Sequence, residues 1–243
     1  MKFVLVTGAC SEIGKRTIFD LIKENYFVVA SDLPAREEEF YNIFRNQTNV
    51  DFFGIDIRKR STVKNIISKI FEKYKIESCV FIIGKNLLVP FFQWDYNKLC
   101  DVFELNFIYA SLFIKDIAEE FIRRRTEGSF VVISSQHGIV ANTQRLPYCV
   151  SKSMLSQLCR CLALELSLFN IRVNSISPTF IETKDNCELL NSSYMLLDAK
   201  EKIPLQRYAS PKDISGAILF LISSRAKMIT GHDLVIDGGW TIQ

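Results

Sequence analysis

A doubly wound, mostly parallel α/β sheet is the fold class this sequence predicts, and three observations predict it. Short apolar, β-branched runs alternate with longer amphipathic stretches along the whole chain. Runs such as Phe130-Val-Val-Ile133 are apolar at every position, the pattern of a strand covered on both faces. A glycine-bearing turn, Thr7 to Gly14, joins the first such run to the first amphipathic stretch. That is where an open α/β sheet presents a helix N-terminus to a ligand.

In order, seven strands are expected at 2–7, 26–31, 50–55, 78–83, 129–134, 171–177 and 233–236. Helices are expected between them at 12–25, 59–74, 97–124, 147–169 and 211–223. No Pro/Gly/Ser-rich linker, repeat or low-complexity tract interrupts the series, so residues 1–243 are expected to form one domain. The stretch 179–210 is polar and irregular, long for a structureless loop, and is expected to act as a lid.

Composition narrows the function classes. Hydrophobic residues make up 48% and charged residues 23%, enough apolar material for a substantial core. A net charge of +3 is too small to point to a nucleic-acid partner, and Arg123-Arg124-Arg125 reads as a solvated helix end. Seven cysteines show no zinc spacing, and their odd number argues against a closed disulfide framework. No metal site is expected, and a reducing, cytoplasmic setting is. The first strand runs straight into the glycine turn, leaving no signal-peptide pattern, and no apolar run is long enough to span a membrane.

The turn Thr7-Gly-Ala-Cys-Ser-Glu-Ile-Gly14 would offer the free N–H groups of a helix start to a pyrophosphate. Asp32 ends the second strand, 18 residues after Gly14. A carboxylate there accepts hydrogen bonds from ribose hydroxyls and repels a 2′-phosphate, so NAD is expected in preference to NADP. Ser11 and Leu33 supply no cation for such a phosphate, although Arg36 is near. Asp56, ending the third strand, is placed for the adenine edge or is a loop aspartate.

The chemistry is expected at Leu146-Pro-Tyr-Cys-Val-Ser-Lys152, where Pro147 suits a first helical turn. Tyr148 and Lys152, four apart, then share a helix face. An ammonium about 4 Å from the phenol, at an effective dielectric of about 20, contributes roughly 4 kcal/mol. That would lower the phenol pKa by about three units, toward the range of a general acid–base. Tyr208 and Lys212 repeat the spacing, but Pro211 stands between them and no serine-ended strand precedes them. Ser135, thirteen residues before Tyr148, follows the strand 129–134 and is placed to hold a substrate oxygen.

Together, Thr-Gly-x-x-x-x-x-Gly, Asp32, Asp56, Ser135, Tyr-x-x-x-Lys, Ile171-Arg-Val-Asn-Ser-Ile-Ser-Pro178 and Val235-Ile-Asp-Gly-Gly239 resemble the short-chain dehydrogenase/reductase family along almost the full chain. The likeness is to its single-domain members, such as 3-oxoacyl-carrier-protein reductase and alcohol, sugar or hydroxy-acid dehydrogenases. It implies a Rossmann-like domain, a homotetramer, and a hydride transfer between NAD(H) and a secondary alcohol or ketone of a small polar substrate. Tyr148 would exchange the proton, Ser135 position the oxygen, Lys152 assist both tyrosine and nicotinamide ribose, and Asn106 order a relay water. The dinucleotide would lie along Gly8, Ser11, Ile13, Gly14, Asp32, Leu33, Asp56, Ile57, Gly84, Tyr148, Lys152, Ile181 and Thr183.

Gln136, His137 and Arg145 are the candidate substrate residues, although His137 could equally cap a local turn. Lys85, Arg145 and Lys184 read first as scattered surface charge and would favour an anionic or sugar-like molecule only if they converge. Three departures stand out: Glu12 in place of the turn's middle glycine, Phe81-Ile-Ile-Gly84 in place of Asn-Asn-Ala-Gly, and Thr179 in place of a glycine. Glu12 is expected to face outward. A non-catalytic dinucleotide sensor or scaffold, and an epimerase or dehydratase, are the competing functions.

Overall fold

The computed structural model describes residues 1–183, 190 and 202–243. Strands β1 (Lys2–Thr7), β2 (Tyr26–Asp32), β3 (Val50–Gly54), β4 (Ile76–Phe81), β5 (Gly128–Ile133), β6 (Ile171–Pro178) and β7 (Asp233–Ile236) form one sheet. Its order is β3-β2-β1-β4-β5-β6-β7, with every neighbouring pair parallel. The order reverses between β1 and β4, which opens a crevice beyond the carboxyl ends of the strands.

Strand pleating sorts the apolar side chains into two cores. Leu5, Val29, Cys79, Phe81, Phe130 and Val132 face α3 (Arg60–Lys73), α5 (Ala110–Arg123) and α6 (Leu146–Leu166). Their neighbours Val4, Val6, Val28, Ala30, Val80 and Val131 face α1 (Glu12–Lys23), α2 (Glu37–Phe44) and α7 (Pro211–Ile222). The apolar run Phe130-Val-Val-Ile133 marks the fully buried β5, whereas β3 and β7 are only partly buried and β6 carries Arg172 and Asn174.

Three elements differ from the sequence expectation. Helix α2 was not expected: its first turn is Glu37-Glu38-Glu39, which reads as solvated charge. What makes it a helix is acid at a helix start together with Phe40 and Phe44, whose rings pack on Phe52 and Phe19 at 4.9 and 4.7 Å. The single helix expected at 97–124 is instead α4 (Tyr96–Phe103), a π-helical turn at Glu104–Tyr109, and α5. Strand β4 ends at Phe81 rather than at 83, because the Ile82 N–H leaves the ladder to donate to Thr7 Oγ1 at 3.2 Å.

Most of the expected lid, with Lys184 and Cys187, lies outside the described residues. Its two ends are paired: Ala209 N donates to Phe180 O at 3.0 Å and Glu182 N to Ala209 O at 2.8 Å. Arg123 and Arg124 both pair with Glu120, as a solvated helix end would. Cys159 is buried and Cys161 exposed, so the two point apart. Among the described residues no helix is long and apolar enough to cross a membrane, and no cluster of metal-ligating side chains occurs.

Gly14 is the tightest backbone position: a Cβ there would meet Gly8 O at 2.2 Å and Ala9 Cα at 2.9 Å. Gly216, on an open face of α7, would meet nothing within 4 Å. Gly14→Ala should therefore cost about 3 kcal/mol, whereas Gly216→Ala should stabilise by about 0.5–1 kcal/mol. Urea midpoints at unchanged slope read both values.

Candidate active site

The crevice at the switch point is floored by the first turn. Gly8 takes the left-handed conformation, φ +64°. Ser11 caps α1: its hydroxyl accepts from Gly14 N at 3.0 Å and donates to Gly8 O at 2.7 Å. Asp32 binds the same turn, accepting from Cys10 N at 2.9 Å and from Leu33 N at 2.8 Å. Each carboxylate oxygen keeps a further lone pair. A glycine cradle that a Cβ would fill, a helix start and a strand-end carboxylate fit the pyrophosphate and ribose of a dinucleotide.

Charges around that end are balanced. Lys15 lies 3.3 Å from both Glu12 and Glu39, and Arg36 pairs with Glu39 at 2.8 Å. Glu12 therefore turns to Lys15, away from the turn it interrupts. Asp56 is held by Arg58 through two side-chain bonds of 2.9 and 3.0 Å, which keep its carboxyl below the usual range. The side chain of Ile57 belongs to the α3/α5/α6 core, which leaves only its main chain for a ligand.

At the other end lies a cavity of about 250 Å³. Ile13, Gly84, Ile181 and Thr183 line it from the dinucleotide side, and Ser135, Gln136, His137, Arg145, Tyr148 and Lys152 from the chemical side. Gly8, Ser11, Gly14, Asp32, Leu33, Asp56, Ile57 and Asn106 are not on its wall.

Helix α6 is seated on the end of β5 by polar bonds. Ser134 Oγ donates to Lys152 O at 2.8 Å, Ser156 Oγ donates to Ser134 Oγ at 2.9 Å, and Lys152 Nζ donates to Ile133 O at 2.9 Å. Two glycines make room: a Cβ on Gly84 would lie 3.0 Å from Lys152 Nζ, and one on Gly138 would lie 2.9 Å from Lys152 C. One turn before Lys152, Tyr148 is hydrogen-bonded to Ser135, and Lys152 Nζ sits 5.7 Å from its ring centroid.

The electrostatics correct one sequence expectation. Burial pushes the Tyr148 phenol up from its usual value, with Ser135 and Arg145 opposing. Burial also lowers Lys152 to about 8. Ser135 and Arg145, not Lys152, are the groups that draw the phenol down, and the Lys152 ammonium donates to Ile133 O. The phenol is thus a protonated donor at neutral pH.

The Asn106 side chain is fully engaged by protein groups. Its Oδ1 accepts from Lys85 N at 2.7 Å, and its Nδ2 donates to Lys85 O at 2.8 Å and to Ser151 Oγ at 3.0 Å. Both amide hydrogens are used, so its side chain positions the loop after Gly84 and holds it to α6. It supplies the brace that Phe81-Ile-Ile-Gly84 lacks. The sequence signal for this was only the asparagine itself; the π turn that aims it gave none.

Of the supposed cationic set, Lys85 Nζ is paired with Asp101, Lys184 is outside the described residues, and Arg145 stacks over Phe180 at 5.4 Å. His137 lies in an aromatic group with Phe180 and Trp240 at 5.6 and 6.3 Å. Thr179 and Phe180, the first residues of the expected lid, also line the cavity. The second Tyr-x-x-x-Lys pair is not a helical pair: Tyr208 precedes the Ser210 cap, and α7 begins at Pro211.

Comparison with known proteins agrees with this geometry. A family model described as enoyl-(acyl carrier protein) reductase matches residues 8–241. The chain is 31% identical to an NAD-dependent glycerol dehydrogenase of Listeria innocua, covering 100% of this chain and 94% of that one. It is 32% identical to an L-xylulose reductase of Caenorhabditis elegans, covering 99% and 96%. A solved 4-hydroxyisoleucine dehydrogenase complexed with NADH superposes with a TM-score of 0.92 at 27% identity, over 100% of both chains. The chain belongs to the short-chain dehydrogenase/reductase family, oxidoreductases that move a hydride between a nicotinamide dinucleotide and a secondary alcohol or ketone.

Proposed function

We propose that this enzyme interconverts a small polar ketone and its secondary alcohol with NAD(H), and that Tyr148 moves the proton. The observation that carries this is the buried wall on which Ser135, Tyr148 and Lys152 meet at the switch-point cavity. The dinucleotide, when bound, supplies or takes the hydride. Ser135 holds the substrate oxygen, and the protonated phenol donates to it. The Lys152 ammonium, while charged, stabilises the phenolate left behind. Asn106 acts as a positioning residue through the Lys85 main chain.

A scaffold without chemistry would have no use for a buried lysine beside a buried tyrosine, since each group carries a desolvation cost. NAD is preferred because Asp32 occupies the end of β2 and both nearby cations, Lys15 and Arg36, are already neutralised by glutamates. Gln136, His137 and Arg145 are the proposed substrate contacts, all on the cavity wall. The six described cysteines are free, in keeping with a reducing, cytoplasmic setting. Exposed Ile108, Val150 and Leu164 on the π turn and α6 support self-association through those helices as a homotetramer.

Tyr148→Phe should lower kcat by roughly 10²–10⁴-fold and leave the Kd for NADH within about threefold. In the wild type, reductive kcat/KM should fall above pH about 8, where Lys152 loses its proton, while oxidation climbs with alkalinity as the phenol ionises. A reductive rate that rises through that range would contradict the assignment. Asp32→Ala should shift the NAD:NADP ratio of kcat/KM toward NADP by at least about tenfold; an unmodified enzyme that already prefers NADP would reverse the cofactor assignment. Light scattering should return about four times the 28.0 kDa chain mass.

A further inference from the structure

Gln136 sits in the turn just beyond β5 and is 1% exposed. Neither the oxygen nor the nitrogen of its side-chain amide has a hydrogen-bond partner among the described residues. Thr179, just beyond β6 and 7% exposed, carries a hydroxyl in the same condition. Both line the cavity that holds Ser135 and Tyr148. Buried polar groups in folded proteins are almost always paired, because an unpaired one keeps its desolvation penalty with nothing to offset it. Two such groups on one wall, beside the proton donor, place the missing partner in the cavity.

The amide defines what that partner must be. Its nitrogen needs an acceptor and its oxygen needs a donor. A hydroxyl group provides both. A carboxylate only accepts and would leave the amide oxygen bare, and a hydrocarbon satisfies neither atom. The Thr179 hydroxyl likewise matches another hydroxyl. Gln136 and Ser135 line the same cavity, so a group that meets the amide lies in the space that receives the reacting oxygen.

We propose that Gln136, with Thr179, recognises a hydroxyl beside the reacting carbon, so that the substrate class is a hydroxy-ketone and its vicinal diol. This rests on the hydride-transfer function proposed above for the same cavity. In reduction the carbonyl carbon gains the hydride from the reduced nicotinamide and the carbonyl oxygen gains the Tyr148 proton. The products are the diol and the oxidised dinucleotide, and the neighbouring hydroxyl is unchanged. Gln136 sets specificity; it takes no part in the proton transfer.

The test follows NADH consumption with 3-hydroxy-2-butanone, 2-butanone and pyruvate. The hydroxy-ketone should exceed both others in kcat/KM by at least roughly tenfold. Gln136→Leu should abolish that advantage, costing the hydroxy-ketone at least roughly tenfold more in kcat/KM than 2-butanone, with the Kd for NADH unchanged. Its Tm should equal or exceed the wild type's, since an unpaired buried amide has been replaced by an apolar side chain of similar size. Thr179→Ala should give a smaller loss in the same direction, an independent reading if Gln136→Leu fails to fold. Equal losses on all ketones, a preference for pyruvate, or weakened NADH binding in Gln136→Leu would overturn the assignment while leaving hydride transfer intact. No NADH oxidation with any ketone, in wild type and Tyr148→Phe alike, would overturn both.

Discussion

The seating of the Lys152 ammonium under the carboxyl end of β5 is the constraint from which the rest of the site follows. A cation buried this deeply loses hydration worth several kcal/mol. The structure recovers part of that through the 2.9 Å bond to Ile133 O. The lowered lysine pKa of about 8 shows that the recovery is partial. That bond, with Ser134 Oγ on the Lys152 carbonyl, fixes both the rotation and the height of α6 against the sheet. Tyr148, one turn earlier, is then carried to the same wall as Ser135, to which it is hydrogen-bonded.

Close approach of this kind needs empty space, and the chain provides it at two glycines. Gly84 yields to the lysine tip and Gly138 to the α6 backbone. The loop that bears Gly84 carries no amide side chain in Phe81-Ile-Ile-Gly84, and Asn106 on a π-helical turn braces it instead. By winding one residue wider, Glu104–Tyr109 aims Asn106 at both main-chain groups of Lys85 and at Ser151. Such turns weaken a helix locally and recur at functional sites, where aim matters more than regularity. The loop after β4 and the N-terminal turns of α6 are thereby one mechanical unit.

At the adenosine end the same economy appears in charge. Glu12 pairs with Lys15, and Glu39 completes the pairing with Lys15 and Arg36. Asp32 pins Cys10 and Leu33, and each carboxylate oxygen keeps a further lone pair. The cofactor cradle is therefore built before a ligand arrives, which lowers the ordering cost of binding.

The sequence by itself determined what depends on local pattern. Seven strands were legible as short β-branched and aromatic runs between amphipathic stretches, and the glycine turn, Asp32, Ser135 and the Tyr148–Lys152 pair were legible because their order along a parallel sheet dictates where they emerge. Pro211 likewise dismissed the Tyr208–Lys212 pair. Tertiary structure decided what depends on depth and aim. Helix α2 was hidden because three glutamates mask the two phenylalanines that bury it. The π turn was hidden because the apolar rhythm of 97–124 runs through it unbroken. Spacing placed lysine beside tyrosine, but only burial settled that the phenol is held up rather than drawn down in pKa. Whether a glutamine finds a partner is a property of every chain segment around it, so Gln136 was a candidate in the sequence and acquired its unpaired amide only in the fold.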